Sequence, residues 1–406
     1  MPLFGLRMPW EKRWTKLSEL TSSRSKSSVL VTETSAMRMS AVFACVRILS
    51  ETVASLPLMV YTRNSTGKYR AWNHPLYKIL HDKPNSEMTA YSFFQMLVSH
   101  MCLWGNAYAL IDYDRSGTIT ELWPLLPNKM QIRRSSSGTL DYLYTLPDGT
   151  VKTFVYWQII HLKMLSLDGV VGLSPISYAR EAIGLGLAAE EFGSRFFSNG
   201  TNLGGFIEMP ERMSDEAHKR FKDSIKEAYT GLSKAHKLVI LEEGGKFNKI
   251  GIPPNDAQWI ESRKYQATEI ARIYRVPPHM IADLERATFS NIEQQSMEFL
   301  RYSIYPWLVN IQQECNSKLL LESESYLFTE YLVDGILRGD IKTRYEAYAI
   351  GRQNGWLSAN DIREMENLNR IDGGDEYLSP LNMVPASMIE AYYQAIISKQ
   401  GNTNGR

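Results

Sequence analysis

Three prolines, an adjacent pair and a third one farther on, most constrain how this chain can fold. Apolar residues recur at helical spacing from Asp256 onward, and this pattern predicts a helix. The helix must stop at Val276, because Pro277 has no backbone N–H to donate and disfavours helical geometry in the residue before it. Residues 279–289 then mix charged with apolar side chains and predict a loop.

A second helix is predicted to follow the loop. Residues 290–293 read Ser-Asn-Ile-Glu, which matches a capping box, and apolar residues then continue at helical spacing as far as Ile311. Pro306 lies well inside this pattern and removes the hydrogen bond to the Tyr302 carbonyl, so we expect a kink there. The sequence therefore predicts a loop held between two helices, of which the second is bent.

Residues 175–198 predict another long helix. Ser174 is placed to cap it, and Pro175 occupies the first helical position, where proline is favoured. This helix is rich in glycine, which costs about 1 kcal/mol relative to alanine, so we expect a neighbouring helix to approach it closely. The run from Gly184 to Ala189 matches a dinucleotide-binding pattern, but that motif must follow a strand and open a helix, so we favour packing.

A series of short motifs runs through the chain in a fixed order. The motifs are AVFACVRILSETVASLPL at 41–58, HPL at 74–76, KPN at 83–85, GNAY at 105–108, GLSPI at 172–176, NGT at 199–201, VPP at 276–278, FSNIEQQ at 289–295, NDIR at 360–363 and GGD at 373–375. Each is weak alone, but their order and the loop between two helices closely resemble the portal proteins of long-tailed bacteriophages. The resemblance spans roughly Ser40 to Leu381. Asp361 stands where that family more often has glutamate, which keeps the charge.

The resemblance implies a ring-forming α+β portal fold. Its parts would be a disordered N-terminal tail at 1–34, a wing at 35–174, a stem helix at 175–202, a small α/β clip at 203–255, a second stem helix at 256–276, a tunnel loop at 277–290, a kinked helix returning to the wing at 291–338, and a helical crown with a C-terminal tail at 339–406. Hairpin patterns between residues 107 and 155 agree with an α+β wing.

The resemblance also implies a function. Twelve subunits would form a channel at one vertex of the virion, through which double-stranded DNA is packaged and ejected. The expected partners are further copies of this chain, the terminase large subunit, a head–tail adaptor, and the major capsid protein or scaffold, which would be met in the host cytoplasm during assembly. Two alternatives stay open at this point, a phage DNA-processing enzyme and a head or tail protein that forms no channel.

Two groups of residues are candidates for the functional site. Those of the tunnel loop, with Glu285 and Arg286 nearest the DNA, are Met280, Asp283, Glu285, Arg286 and Thr288. Those of the second stem helix are Arg263, Lys264, Arg272 and Arg275. The second group could face DNA or form salt bridges between subunits, for instance with Glu261 or Glu269 of a neighbour, and we favour the salt bridges.

Neither the composition nor the spacing of the histidines and cysteines indicates a catalytic role. The 45 basic and 44 acidic residues give a net charge of +1, which indicates no strong grip on nucleic acid and suits a conduit, although it suits many enzymes equally well. The 3 cysteines are predicted to be reduced thiols, and the spacing of the 7 histidines gives no zinc pattern. We predict no catalytic residue, no cofactor, no metal ion and no membrane span.

Overall fold

The structure is a computed structural model, and it describes residues 25, 27, 29–65, 67–198, 205–208, 214–216, 218–220, 223, 246–249, 256–281, 295–333, 341–366 and 368–378. The chain divides into two compact units, Met1–Leu332 and Val333–Arg406. Within the described part, no helix is both long and apolar enough to cross a membrane.

The first unit mixes helices with antiparallel sheets. Its helices are α1 (Glu33–Ala36), α2 (Ser40–Ala54), α3 (Pro75–His81), α4 (Ala90–Trp104), α5 (Pro175–Tyr178), α6 (Arg180–Ser198), α7 (Asp256–Tyr274) and α8 (Tyr305–Leu319). Its strands are β1 (Leu58–Asn64), β2 (Gly67–Arg70), β3 (Asn106–Tyr113), β4 (Ile119–Leu125), β5 (Met130–Arg134), β6 (Leu140–Thr145), β7 (Val151–Val155), β8 (Ile159–Lys163), β9 (Gly205–Glu208), β10 (Lys246–Lys249) and β11 (Leu327–Tyr331). This arrangement confirms the predicted α+β class.

The strands form four antiparallel sheets, with strand orders β11-β1-β2, β4-β3-β8, β5-β6-β7 and β10-β9. The hairpins predicted between 107 and 155 are confirmed, because the polar, glycine-containing segments between these runs turn the chain back on itself. β11 pairs with β1, which lies far from it in sequence, and places Leu58 opposite Tyr331. The chain that follows α8 therefore returns to the sheet that contains β1.

Alternating burial along these strands builds a core between two of the sheets. This core contains Tyr108, Leu125, Met130, Ile132, Tyr142, Ile159 and Val171. Beside the sheets, α2 packs against α4. The buried residues of α2, such as Val42, Val46, Leu49 and Val53, recur every three or four positions and face α4 and its neighbours.

The last residues of the predicted N-terminal tail are packed against the protein. Val31 is only 2 % exposed, and the Thr32 side chain caps α1 through a capping box with Ser35. An apolar contact and a cap thus order the described residues 31–34, at the end of the segment predicted to be disordered. Residues 1–24 lie outside the described part.

The predicted helices at 175–198 and 256–276 are present, with local differences. The first is divided into α5 and α6 at Ala179, and Ser174 caps α5 as expected, with its Oγ accepting from the Ser177 N–H. The second begins at Asp256 as predicted and ends at Tyr274, two residues before the expected stop. Of the predicted clip at 203–255, the structure describes the β9–β10 pair and helical residues at 215–216 and 218–220.

The second unit contains α9 (Ile341–Gln353) and α10 (Ala359–Met365). Both helices lie in the range that the sequence analysis assigned to a helical crown, and Ser358 caps α10 in a capping box with Asp361. Residues 379–406 of the predicted crown and C-terminal tail lie outside the described residues. Asn360 is buried and joins α10 to the following loop, because its side chain bonds both the N–H and the carbonyl of Ile371.

Candidate functional site

Two of the short sequence motifs, GNAY at 105–108 and GLSPI at 172–176, meet just before α5. Gly105 ends α4 at φ 74°, and a Cβ placed on it would lie 2.2 Å from the Leu173 carbonyl oxygen. A Cβ on Gly172 would lie 2.1 Å from the Gly105 carbonyl oxygen. Only glycine fits both positions, so these residues allow two backbone segments to touch just before α5 begins.

Asn106 locks this contact. Its Oδ1 accepts from the Gly172 N–H at 2.7 Å, and its Nδ2 donates to the Gly172 carbonyl at 2.8 Å and the Trp104 carbonyl at 3.1 Å. The same Oδ1 lies 3.0 Å from His161 Nε2, which therefore carries the ring proton. His161 Nδ1 then accepts from the Tyr142 hydroxyl at 3.2 Å. This hydrogen-bond network holds the segment that leads into α5 against strands β3, β6 and β8.

The buried histidines of this region are neutral. Burial lowers the pKa of His161 well below its ordinary value of 6.5, and the nearby Lys163 and Lys318 add to this effect. Burial also lowers the pKa of His100 to about 4. Protonation of either ring would place a positive charge in a site that water does not reach, which is unfavourable. Neither ring is therefore placed to exchange protons with a substrate at neutral pH.

The end of α7 is fixed by an unusual backbone conformation. Arg275 has φ 55°, the left-handed region normally taken by glycine. The Val276 N–H donates to the Ala271 carbonyl and the Arg275 N–H to the Arg272 carbonyl, which together form a Schellman cap. Val276 is buried, and the Tyr274 hydroxyl donates to the Cys102 carbonyl at 3.1 Å. Packing therefore holds arginine in a conformation that costs it about 1 kcal/mol or more.

A π-helix directly precedes Pro306, the residue at which the sequence predicts a kink. It spans Phe299–Ile304, directly before α8, and the Tyr305 N–H donates five residues back to the Leu300 carbonyl. Pro306 then lies in the first turn of α8, directly after the π-helix, and the kink expected there stays a prediction. Ser303, within the π-helix, donates from its Oγ to the Arg275 carbonyl at 2.5 Å. The two irregular backbone segments are thus joined to each other.

The glycine-rich helix is closely approached, as predicted, but partly by a different segment. A Cβ on Gly184 would lie 2.4 Å from Ser25 Oγ, and a Cβ on Gly186 would lie 2.8 Å from the Met39 Cε. The Gln266 Oε1 of α7 would lie 3.5 Å from the Gly186 Cβ. The N-terminal segment therefore fills most of the space, and α7 lies next to it. The dinucleotide pattern falls inside α6, in agreement with packing.

Among the candidate basic residues of α7, Arg263 and Arg272 form ion pairs within the chain. Arg263 reaches Glu190 of α6 at 3.2 Å, and Arg272 reaches Glu269 of its own helix at 2.5 Å. Both pairs are solvent-exposed, so each contributes at most about 1 kcal/mol. Lys264 and Arg275 are exposed. Glu269 thus pairs with Arg272 of its own helix, and the salt bridges predicted between subunits stay a prediction.

The predicted loop residues can be followed only in part. Met280 is half-buried in a short 3₁₀ turn at Pro278–Ile281. Asp283, Glu285, Arg286 and Thr288 lie outside the described residues. The sequence motifs include Gly105 and Gly172, but the sequence did not predict that the two residues touch. It also did not predict the hydrogen bonds of His161 to Asn106 and of Ser303 to the Arg275 carbonyl. No sequence signal indicates these contacts, because every partner is distant along the chain.

The described residues offer no metal centre, since no group of three or more His, Cys, Asp or Glu side chains among them could hold an ion. Cys45, Cys102 and Cys315 are buried free thiols, as predicted. Burial raises the pKa of Cys45 to about 12, so this thiol is protonated and unreactive at neutral pH. What the site offers is a pair of firmly anchored helices with exposed outer faces.

Comparison with known proteins identifies the fold and the relatives of this chain. The family model described as phage portal protein matches residues 40–367. The chain is 36 % identical over 370 residues to the "Probable portal protein" of Streptomyces phage phiC31, covering 87 % of this chain and 80 % of that one. It is 32 % identical over 355 residues to the "Portal protein" of Enterobacteria phage HK97, covering 86 % and 83 %.

A solved structure shares the fold. It is titled as the neck of a native GTA particle computed with C12 symmetry, and it superposes with a TM-score of 0.57 at 21 % identity, covering 84 % of this chain and 94 % of that one. At this identity the likeness speaks for the fold alone.

Proposed function

The chain belongs to the phage portal protein family, and from this premise we propose that it assembles into the ring-shaped channel of a capsid vertex. About twelve copies would surround double-stranded DNA during packaging and ejection. The observation that carries the proposal is the family match across residues 40–367, together with portal relatives that are more than 30 % identical over most of both chains.

The described fold supports assigning parts of the chain to the channel. α6 and α7 would be the two stem helices, the sheets before them the wing, and the β9–β10 pair part of the clip. About twelve helices, each about 10 Å across and packed side by side, have their axes on a circle about 38 Å in diameter. Subtracting one helix thickness leaves a bore of about 28 Å, wide enough for a duplex.

The tunnel loop would touch the moving DNA. Met280, Asp283, Glu285, Arg286 and Thr288 are the residues we assign to it, with steric and mild electrostatic contacts to the DNA backbone. The anchoring of the preceding helix by Tyr274 and by the Arg275–Ser303 hydrogen bond supports this assignment, because a loop that bears on a moving polymer needs a rigid base.

The role we propose is mechanical. The portal family is a structural one, and ATP hydrolysis would belong to the terminase large subunit that docks on the ring. A head–tail adaptor would replace the terminase after packaging, and the major capsid protein or scaffold would surround the ring. Incubating the purified protein with plasmid and Mg²⁺ or Mn²⁺ tests this role, since cleavage of the plasmid would instead favour a DNA-processing enzyme.

Negative-stain electron microscopy of the purified protein tests the ring. End-on class averages should show about twelve subunits around a central hole, whereas a compact particle with no hole would overturn the proposal. Deleting residues 282–288 then tests the loop. The variant should form rings and fail to package DNA, and normal packaging by the variant would refute the tunnel-loop assignment.

A further inference from the structure

The second unit exposes three large apolar side chains close to the end of α9. Ile350, Trp356 and Leu378, here called the apolar cluster, are 53 %, 67 % and 49 % exposed. The Trp356 indole N–H donates to the Ile350 carbonyl at 3.2 Å, so these two residues lie side by side. A Cβ on Gly355 would lie 2.2 Å from the Leu378 carbonyl oxygen, which places Leu378 beside Trp356.

The backbone under the apolar cluster is fixed by hydrogen bonds. Gly355 follows α9 with φ 76°, and its N–H donates to the Arg352 carbonyl. The Trp356 N–H donates to the Gly351 carbonyl, which completes a Schellman cap. The Arg352 guanidinium donates to the Glu376 carbonyl and ties the chain that follows α10 to α9. Apolar side chains that ordered structure holds together in solvent are typical of a contact surface.

The described part of the chain ends at Leu378, within the apolar cluster, and residues 379–406 follow it. In this segment, apolar residues at helical spacing share one side, whereas Glu390, Gln394 and Ser398 share the other. The apolar residues are Met388, Ile389, Tyr392, Tyr393, Ile396 and Ile397. Pro385 suits the first turn of a helix. The sequence therefore predicts an amphipathic helix over 385–397, which would be about 20 Å long.

A helix of this length needs a surface to pack against. Isolated helices shorter than about 12–15 residues are marginal in water, and most helices in proteins are stabilised by packing their apolar face. We propose that residues 385–397 pack as a helix on the apolar cluster of the same chain. The apolar side of this helix would cover Ile350, Trp356 and Leu378, so that two apolar surfaces leave water together.

The connection between the helix and the apolar cluster is short. Leu378 belongs to the cluster, and residues 379–384 can span at most about 22 Å. A short tether gives an effective concentration in the millimolar range, which favours contact within the chain. Both partners belong to the second compact unit, and the segment lies beyond the family match, which ends at residue 367. Because this docking involves a single chain, it goes beyond the proposed channel and does not depend on ring formation.

Two other partners fit the apolar cluster less well. Duplex DNA presents phosphates, which proteins bind with cations, and no member of the cluster is charged. A second copy of this chain would have to displace a segment that is tethered beside the cluster. Docking of residues 385–397 covers both apolar surfaces and needs no further molecule.

Hydrogen exchange of the full-length chain, measured by mass spectrometry, tests the docking. The amides of residues 389–397 should exchange at least about 100-fold more slowly than in an unstructured chain, and Ile350→Lys should speed their exchange at least about 10-fold. The matched control is Tyr345→Lys, because Tyr345 is 51 % exposed but lies roughly 140° around α9 from Ile350. The control should leave the exchange of these amides unchanged. Unchanged exchange in α10 verifies that each variant is folded.

A pair of variants in the segment tests which side of the helix docks. Ile389→Lys should speed the exchange about as much as Ile350→Lys, whereas Glu390→Lys, on the polar side, should leave it unchanged. Residues in contact have non-additive effects, so combining Ile350→Lys with Ile389→Lys should add little to either substitution alone. Fully additive effects would place the apolar side of the helix on another surface and overturn the docking.

Other outcomes decide between the possible partners. Exchange of residues 389–397 as fast as in an unstructured chain, or unchanged by Ile350→Lys, would overturn the docking. Protection that disappears on dilution to single chains, verified by native mass spectrometry, would make a second copy the partner and also overturn it. Protection that persists in single chains supports the docking. If such a protein formed no rings under the electron microscope, the proposed function alone would fail.

Discussion

Replacing Asn106 by alanine should destabilise the first unit strongly. The side chain makes four hydrogen bonds, two with Gly172, one with the Trp104 carbonyl and one with His161. Asn106 and His161 are both buried, at 0 % and 3 % exposure. Alanine would remove every one of these bonds and supply no replacement.

The expected loss follows from the groups left behind. A buried polar group without a partner costs about 1–3 kcal/mol. Taking the low end for four groups, because water can enter the space vacated by the amide, gives a loss of about 4 kcal/mol. The unfolding entropy of a unit of about 300 residues is about 0.6 kcal/mol per kelvin, so the melting temperature should fall by about 6 °C.

The assay is thermal unfolding followed by circular dichroism, with Asn128→Ala as the matched control. Asn128 is exposed in a short turn, and its replacement should change the melting temperature little. Hydrogen exchange should also become faster at the Gly172 amide in Asn106→Ala. If the two variants melt within about 1 °C of each other, the network does not hold this junction and our reasoning is wrong.

Two further predictions concern charge and backbone. His100 and His161 have folded pKa values below the 6.5 of the unfolded chain, so the unfolded chain binds more protons as the pH falls. Above pH 6.5 the unfolding free energy should keep its full value. Below pH 6.5 each ring should lower it by about 1.4 kcal/mol per pH unit, down to about pH 4 for His100. A urea midpoint that does not change between pH 7 and pH 5 would contradict this. Arg275→Gly should raise the unfolding free energy by about 0.5–1 kcal/mol, because glycine takes φ 55° without strain, whereas Arg272→Gly inside α7 should lower it by about 1 kcal/mol. Urea unfolding of both glycine variants tests the opposite signs, and equal shifts would refute the strain at Arg275.

The candidate site was only partly predictable from the sequence. The basic residues of α7 were recognised, but Arg263 and Arg272 make ion pairs within the chain, and only the folded helix pair brings Glu190 to Arg263. The exposure of Leu185 and Phe192 on α6 was not predicted, because apolar residues at helical spacing normally lie in a core. Only the structure shows that the other side of α6 packs against α7 and the N-terminal segment.

The sequence by itself determined the local features. Proline pairs end helices, Ser174 and Ser358 supply caps, and polar, glycine-containing turns make hairpins, because each depends on neighbours a few residues away. Only the tertiary structure decided that Gly105 touches Gly172, that Ser303 holds the left-handed Arg275, and that Ser25 fills the space at Gly184. These contacts join segments distant along the chain, and their energy exists only when the packed core brings those segments together.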